Sequence, residues 1–321
     1  MLCFYFKMKN FVHLLIFLPS LIFSQEKNLA EKLGFNAEAK LLILNADDIG
    51  VANSVNEASF RAFESGSITS GSVMVPCPWF LEVVEYAKSN PKHNLGLHLT
   101  LTSEWKNYKW DGISSSSEIK SLINKQGHFY IGNEGVRLNA TYEDVKRELR
   151  AQVNYSIENG LIPTHLDTHM GAVRVRPEIF QAYFEIGQEF NLPVVVSKDY
   201  KEEVLSKIFD KSKIDISQII WVDKIYGKSN DSPINIKNWE NFYYGVIDDI
   251  KPGFNILELH LGFENEELKA MMIDHPHWGA KWRELDLQIV ESEKFKNYLK
   301  EKNIKLINWN QINKIKIPND Q

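Results

Sequence analysis

Two adjacent carboxylates, Asp47 and Asp48, lie just after the apolar run 41–44 and just before Gly50. An apolar run of β-forming residues that ends in a turn is typical of a buried parallel strand. Neighbouring carboxylates repel each other, and burial strengthens the repulsion, so a buried pair needs a metal ion or a proton to neutralise it. The alternative is that one aspartate caps a helix beginning at Val51 while the other stays solvated.

Histidines recur where later strands are expected to end, at His98, in the triplet His165-x-Asp167-x-His169, and at His260. The i, i+2, i+4 spacing places all three polar groups of the triplet on one face of an extended strand, where a core would hold apolar residues. The alternative for a lone histidine such as His98 is a core residue whose ring is hydrogen-bonded. If the strands form a parallel barrel, their carboxyl ends meet at one mouth and bring these residues together.

One aspartate with two histidines is a mixed oxygen and nitrogen ligand set that leaves coordination positions open. Such a set suits a divalent ion that acts as a Lewis acid and activates water. Zinc fits, and so does a harder ion such as magnesium or manganese. The remaining aspartate would then serve as a base, and His260 as an acid for the leaving group. A metal, a base and an acid together predict a hydrolase.

The elements that must position these residues alternate between strand and helix. After the first strand, strands are predicted at 68–76, 94–101, 163–169, 193–197, 218–223, 254–260 and 304–309. Helices are predicted at 51–65, 79–89, 141–159, 177–190, 201–209, 239–250 and 285–301. About eight strands separated by helices predict an α/β fold with a parallel sheet. At this length a closed or nearly closed (β/α) barrel of the TIM type, in a single domain, fits best. An open doubly wound sheet is the alternative, although no dinucleotide-binding glycine motif follows any strand.

The segment 103–139 interrupts this alternation and is long for a loop in a compact domain, so it predicts a lid or a substrate-binding excursion. Its aromatic residues suit sugar rings, which pack their C–H faces on π surfaces. The alternative is that these rings fix the loop to the body of the protein. They are Trp105, Tyr108, Trp110, Phe129 and Tyr130.

The amino terminus has the pattern of a secretory signal over residues 1–24, with lysines before the apolar run 11–23 and a small residue, Ser24, at its end. We therefore expect an exported protein, in the periplasm or outside the cell; the alternative is an uncut amino-terminal anchor. The net charge of −5 comes from mixed acidic and basic residues, which excludes a clustered basic surface for nucleic acid. Beyond the signal only Cys77 remains, which excludes an internal disulfide and a cysteine-based zinc site. The last residues, 311–321, form a polar tail.

Four motifs in order resemble those of the YdjC-type carbohydrate deacetylases, which include the chitooligosaccharide deacetylases. They are Asn45-Ala-Asp-Asp-Ile-Gly50, Gly96-Leu-His-Leu-Thr-Leu101, Pro163-Thr-His-Leu-Asp-Thr-His-Met-Gly171, and a carboxyl-terminal stretch that includes 260–268 and 278–286. The resemblance extends over residues 40–310. It implies a distorted (β/α) barrel, one divalent metal ion, and removal of N- or O-acetyl groups from an acetylated carbohydrate. It also implies a homodimer.

Carried over by position, the resemblance assigns roles to seven residues. Asp48, His98 and His169 would bind the metal, Asp47 would be the base, His260 the acid, and His165 and Asp167 would orient ligands or substrate. The sequence does not decide which of the two adjacent aspartates binds the metal and which is the base. His275 is the second candidate for the acid. Two other functions stay open: another metal-dependent barrel hydrolase, such as one acting on phosphoesters, and a non-catalytic exported sugar-binding protein.

Overall fold

The computed structural model describes residues 27–201, 215, 219–230 and 233–316, so the predicted signal segment and most of the predicted helix 201–209 lie outside the described residues. Seven strands are described: β1 (Lys40–Ile49), β2 (Ser70–Val73), β3 (Leu95–Leu99), β4 (Leu166–Thr168), β5 (Lys224–Tyr226), β6 (Gly253–Leu259) and β7 (Ile304–Leu306). The α-helices cover Leu29–Lys32, Asn53–Glu64, Phe80–Ser89, Asn133–Asn139, Tyr142–Asn159, Pro177–Glu189, Ile236–Asp249, Glu266–Met271, Ala280–Glu291, Glu293–Glu301 and Trp309–Lys316. Two short 3₁₀ segments cover His169–Val175 and Lys198–Tyr200.

Strand β1 is the centre of the sheet, and its long apolar run explains why. It pairs in parallel with β2 and β6, and its first residues also pair with β7. Every residue of β1 after Lys40 is buried, as expected for a strand covered on both faces. The strand order is β4-β3-β2-β1-β6-β5, and all the pairings are parallel.

The sheet curves into a distorted barrel, as predicted. Parallel bridges join Leu166 to Val194 and Ser197 to Val222, so short extended segments continue the sheet from β4 towards β5. Strand β5 pairs with β6, which returns to β1. The predicted strand 193–197 is therefore present only as isolated bridges, and Val222 takes part in a bridge just before β5. Helices surround the sheet, so the single α/β domain is a distorted (β/α) barrel.

Alternate residues of β1 belong to different hydrophobic clusters. Leu42 and Leu44 pack with the helices, whereas Leu41 and Ile43 pack with Phe254 of β6 and with Trp309. Successive side chains on a strand point to opposite faces, so the second cluster fills the inside of the barrel at the amino-terminal end of β1. The helix Trp309–Lys316 closes this end, and it includes the first residues of the predicted polar tail.

Most predicted helices are confirmed, and the differences have local causes. Thr141 caps the helix Tyr142–Asn159, and Gly160 ends it with a left-handed φ of 101°, which favours glycine. The predicted helix 285–301 is two helices because Ser292 accepts a hydrogen bond from the Phe295 amide and starts a new one. In the described part of the chain, the helices are all too short or too polar to cross a bilayer.

Candidate metal centre

The carboxyl end of β1 brings Asp47 and Asp48 into one site by breaking the regular strand. Neighbouring residues of a regular strand point to opposite faces, which would separate the two carboxylates. Here Asp48 has a left-handed φ of 63°, and the pairing with β2 shifts register between Ala46 and Ile49. The helix that follows begins at Asn53 and has Ala52 as its cap without a side-chain hydrogen bond, so neither aspartate caps it.

Asp48 lies at the centre of the site, and its two oxygens have different surroundings. Oδ2 accepts a hydrogen bond of 2.6 Å from Nη2 of the buried Arg283. Oδ1 lies 3.2 Å from His169 Nδ1 and 3.5 Å from His98 Nε2, yet it accepts no hydrogen bond within the described part of the chain. Burial alone would raise the pKa of Asp48, but Arg283, together with His169 and His260, holds it well below its usual range. Asp48 is therefore a buried, ionised carboxylate with one oxygen left for a ligand.

Both histidines beside Asp48 present one ring nitrogen to Oδ1 and the other to a second carboxylate. His98 Nδ1 lies 3.3 Å from Asp167 Oδ2, and His169 Nε2 lies 3.1 Å from Glu104 Oε2. Metal-binding histidines usually donate their second ring nitrogen to such a carboxylate, which fixes the tautomer and ring orientation. Burial opposes a charge on His169, but Glu104 and Asp48 outweigh it and raise its pKa to about 10.

These donors fit a divalent cation. Ligand atoms of Asp48, His98 and His169 all lie within 4.8 Å of one another, and the three residues are buried. A second group, Asp47, His98 and Asp167, meets the same criterion but would share His98. The first group is the better candidate because Oδ1 of Asp48 is unpaired, whereas Asp167 accepts a hydrogen bond from the Thr168 amide.

Asp47 is buried beside this group and is held by neutral donors. Its Oδ1 accepts hydrogen bonds from Asn45 Nδ2 at 2.5 Å and from Ser72 Oγ at 2.8 Å. Burial raises the pKa of Asp47 well above its usual range, and the charges of Asp167, Glu258 and Asp48 add to this rise. A cation bound beside Asp47 would oppose this rise by favouring the ionised carboxylate, which is the form that acts as a base.

His260 follows β6 on the opposite side of Asp48. Its Nε2 lies 3.9 Å from Asp48 Oδ2, and its side chain is 20% exposed, more than the 4–6% of Asp48, His98 and His169. Its backbone amide donates to the buried Asp286, which also accepts hydrogen bonds from Trp239 and Tyr243. Burial lowers the pKa of His260 to about 3 against the charge of Asp48, so this imidazole is neutral.

The sequence model of the family described as YdjC-like protein matches residues 41–301, which include every residue of this site. The chain belongs to the YdjC-like family. A carbohydrate deacetylase of Clostridium beijerinckii is 27% identical over 84% of this chain and 99% of its own length. A carbohydrate deacetylase of Thermoanaerobacter pseudethanolicus is 24% identical over 84% of this chain and 98% of its own. Among solved structures, a protein of Enterococcus faecalis V583 proposed to cleave cellobiose phosphate shares the fold, with a TM-score of 0.70 and 23% identity over 85% of this chain and 99% of its own.

The remaining predicted residues of the YdjC-like motifs lie at different depths in the barrel. Asp167 contacts His98 directly, as described above. His165 is fully buried below it, where its ring stacks on Trp309 with centroids 4.8 Å apart and its Nδ1 lies 3.0 Å from the Thr164 hydroxyl. A β-carbon on Gly96 would lie 2.3 Å from the His165 ring, so the glycine of the second motif makes room for this histidine. His275 lies in the loop after the helix Glu266–Met271, where its amide donates to the Met272 carbonyl.

Two residues of the site, Glu104 and Arg283, are absent from the sequence-based assignment. Glu104 is six residues beyond His98, and the alternation of β3 continued past the strand would have placed the two on one face. Arg283 is a charged residue on the inward face of the helix Ala280–Glu291, where a buried charge needs a partner. Its partner Asp48 lies 235 residues away in the sequence, and no local pattern indicates that pairing.

The aromatic residues of the loop 103–139 mostly fix it to the body of the protein. Trp105, Trp110 and Phe129 are buried, and the Tyr108 hydroxyl donates to the Val51 carbonyl just beyond β1. Trp110 also lies beside His169, with ring centroids 6.4 Å apart. The loop is therefore a packed wall of the site.

Exposed aromatic rings near the site come from two other loops. Trp79 is 37% exposed, and its amide donates to the Gly50 carbonyl beyond the aspartate pair. Trp278 is 38% exposed, and its carbonyl accepts a hydrogen bond from Nε of Arg283. Trp278 also has a left-handed φ of 56°, which is strained for a bulky residue and is common at functional sites.

Proposed function

We propose that this YdjC-like protein is a divalent-metal-dependent hydrolase that removes acetyl groups from a carbohydrate. The observation that carries the proposal is the unpaired Oδ1 of Asp48, which faces one nitrogen of His98 and one of His169. The full-length similarity to two carbohydrate deacetylases supports the reaction and the substrate class.

The site would bind the cation through Asp48, His98 and His169, and the bound ion would polarise the acetyl carbonyl and lower the pKa of water. Arg283 keeps Asp48 ionised and orients it through Oδ2. Two imidazoles with one carboxylate favour zinc, because magnesium prefers oxygen ligands. We therefore propose zinc as the ion bound most tightly.

Asp47 would accept the proton of the attacking water, because it lies buried beside the candidate ligands and its Oδ1 is held by Asn45 and Ser72. His260 is more open to substrate than the three ligand residues and would hold a proton at Nε2 for the departing amine or alcohol. Because this imidazole is neutral before the reaction, the proton that it passes to the departing amine or alcohol would be the one that Asp47 takes from the attacking water. The exposed rings of Trp79 and Trp278 would pack against the sugar.

The direct test is acetate release from a panel of N- and O-acetylated oligosaccharides, assayed with the metal-free protein and after addition of zinc, magnesium or manganese. We expect turnover with zinc and its loss in His98→Ala and His169→Ala. Phosphate or new reducing ends released in place of acetate would instead indicate a different hydrolase. Equal sugar binding by metal-free and metal-loaded protein, without turnover in either, would indicate a non-catalytic binding protein.

We also propose export of the protein and a homodimer as its assembly. The export proposal is supported by the amino-terminal sequence pattern, and the dimer by the motif resemblance. Fractionation of cells that express the full chain tests the first, and light scattering of the purified protein tests the second.

A further inference from the structure

Glu104 is a second carboxylate that contacts a histidine of the candidate metal centre. Its Oε2 lies 3.1 Å from His169 Nε2, on the side of the ring away from Asp48. The Glu104 side chain is 13% exposed and that of His169 is 6% exposed, so this pair is largely shielded from water. Glu104 lies five residues beyond the end of β3 and six before the buried Trp110, which packs beside the same histidine.

The neighbours of Glu104 hold it in place. The Ser103 amide donates to the Tyr130 carbonyl at 2.8 Å, and the Ser103 carbonyl accepts a hydrogen bond from Lys109 Nζ at 2.7 Å. On the other side, the Trp105 ring is buried against Trp110, with centroids 5.6 Å apart. A carboxylate between two anchored residues loses little conformational entropy on binding a partner, so its position is set before any ion binds.

The arrangement matches that of the other histidine in the site. Asp167 faces Nδ1 of His98, and Glu104 faces Nε2 of His169, while the opposite nitrogen of each ring faces Asp48 Oδ1. A proton held between Glu104 and Nε2 leaves the lone pair of Nδ1 free for a cation. Removing such an orienting carboxylate typically costs about 10- to 100-fold in metal affinity.

We propose that Glu104 is a positioning residue that holds His169 in the tautomer and orientation needed to bind the divalent ion. This inference rests on the metal-dependent function proposed above and assigns Glu104 the part that Asp167 has for His98. Glu104 acts through His169, so its effect requires that histidine.

The test is the affinity for zinc, measured by competition with a chelating dye, in the wild type, Glu104→Ala and Glu104→Gln. We expect Glu104→Ala to weaken zinc binding about 10- to 100-fold. Glu104→Gln keeps an oxygen that accepts the Nε2 proton, so we expect it to recover part of the loss. Glu118→Ala, an exposed glutamate of the same loop, is the matched control and should bind zinc like the wild type.

A double-mutant comparison distinguishes a positioning role from a general one. In the His169→Ala background, Glu104→Ala should weaken zinc binding no further, whereas in the His98→Ala background it should still do so. Unchanged zinc affinity of Glu104→Ala, or an equal loss in both backgrounds, would overturn the proposal. Reduced turnover at unchanged zinc affinity would also overturn it and assign Glu104 to proton transfer.

The proposed function fails by a different result, namely a wild-type protein that binds no divalent ion or releases no acetate. Circular dichroism of each metal-free variant shows whether it is folded. Glu104→Gln, the most conservative change, keeps the test decisive if Glu104→Ala does not fold.

Discussion

The protein contains two buried polar clusters beside β3, and they differ in how completely their atoms are paired. In the first, Glu148 accepts hydrogen bonds from the amides of Ile113 and Ser114 and from Gln152. Gln152 in turn bonds both the amide and the carbonyl of Thr100. In the second cluster, Asp48 Oδ1 and Arg283 Nη1 are buried without a hydrogen-bond partner in the described chain.

This difference separates a structural network from a binding site. Buried polar groups are normally paired, because an unpaired one costs about 1–3 kcal/mol. The Glu148 carboxylate and the Gln152 side-chain amide meet that rule and tie the loop 103–139 to β3 and to the helix Tyr142–Asn159. The Asp48 cluster does not meet that rule at Oδ1 of Asp48, where a bound cation would supply the missing partner. The four predictions that follow test this contrast.

The largest effect is expected for Glu148→Ala, which removes a fully buried carboxylate and leaves the partly buried amides of Ile113 and Ser114 unpaired. We expect the free energy of unfolding to fall by about 3 kcal/mol, with or without zinc. Denaturant titrations of the variant and of Glu148→Gln, which keeps one acceptor, measure it. If Glu148→Ala unfolded at the same denaturant concentration as the wild type, this network would have no structural role.

Zinc should stabilise the Asp48 cluster and leave the Glu148 cluster unaffected. At a free zinc concentration of about 100 times Kd, we expect the free energy of unfolding to rise by about 2.7 kcal/mol. The rise should persist in Glu148→Gln and be much smaller in His98→Ala, where zinc binds more weakly, as measured by unfolding with zinc or with EDTA. A rise in His98→Ala equal to that of the wild type would place the bound ion elsewhere.

Asp286 is a buried carboxylate whose protonation changes the stability of the fold with pH. Burial raises its pKa from 3.8 to about 6, although Tyr243, Trp239 and the His260 amide favour the ionised form. The folded state therefore holds more protons than the unfolded state between these values, and this contribution to stability is lost as pH rises through about 6. For metal-free protein we expect a fall of about 1 kcal/mol between pH 5 and 6 that Asp286→Asn lacks. Unfolding at several pH values measures it, and parallel pH profiles for the two proteins would contradict it.

The smallest effect is expected at the surface, where water screens ion pairs. Arg150 Nε lies 2.6 Å from Glu189 Oε1, but the two side chains are 38% and 37% exposed. We expect Arg150→Ala to change the free energy of unfolding by less than about 1 kcal/mol and to leave zinc affinity unchanged. A fall in the free energy of unfolding as large as that of Glu148→Ala would show that the ion pair itself, and not its burial, determines the size of the effect.

The sequence by itself determined the barrel and most of the residues at its mouth. The apolar run of β1 predicts its burial on both faces, and the spacing of His165, Asp167 and His169 predicts a shared face. These patterns are local, since strand alternation and helical periodicity are properties of neighbouring residues. The parallel barrel then predicted that the strand ends converge, and the family motifs assigned roles to the residues there.

The tertiary structure alone decided how the site is completed. Regular alternation would separate Asp47 from Asp48, and only the left-handed backbone at Asp48, within a strand paired on both sides, brings them together. The contacts of Asp48 with Arg283 and of His169 with Glu104 join residues 235 and 65 positions apart. Such pairs leave no periodic trace in the sequence, because packing in three dimensions, and not the local conformation of the chain, selects each partner.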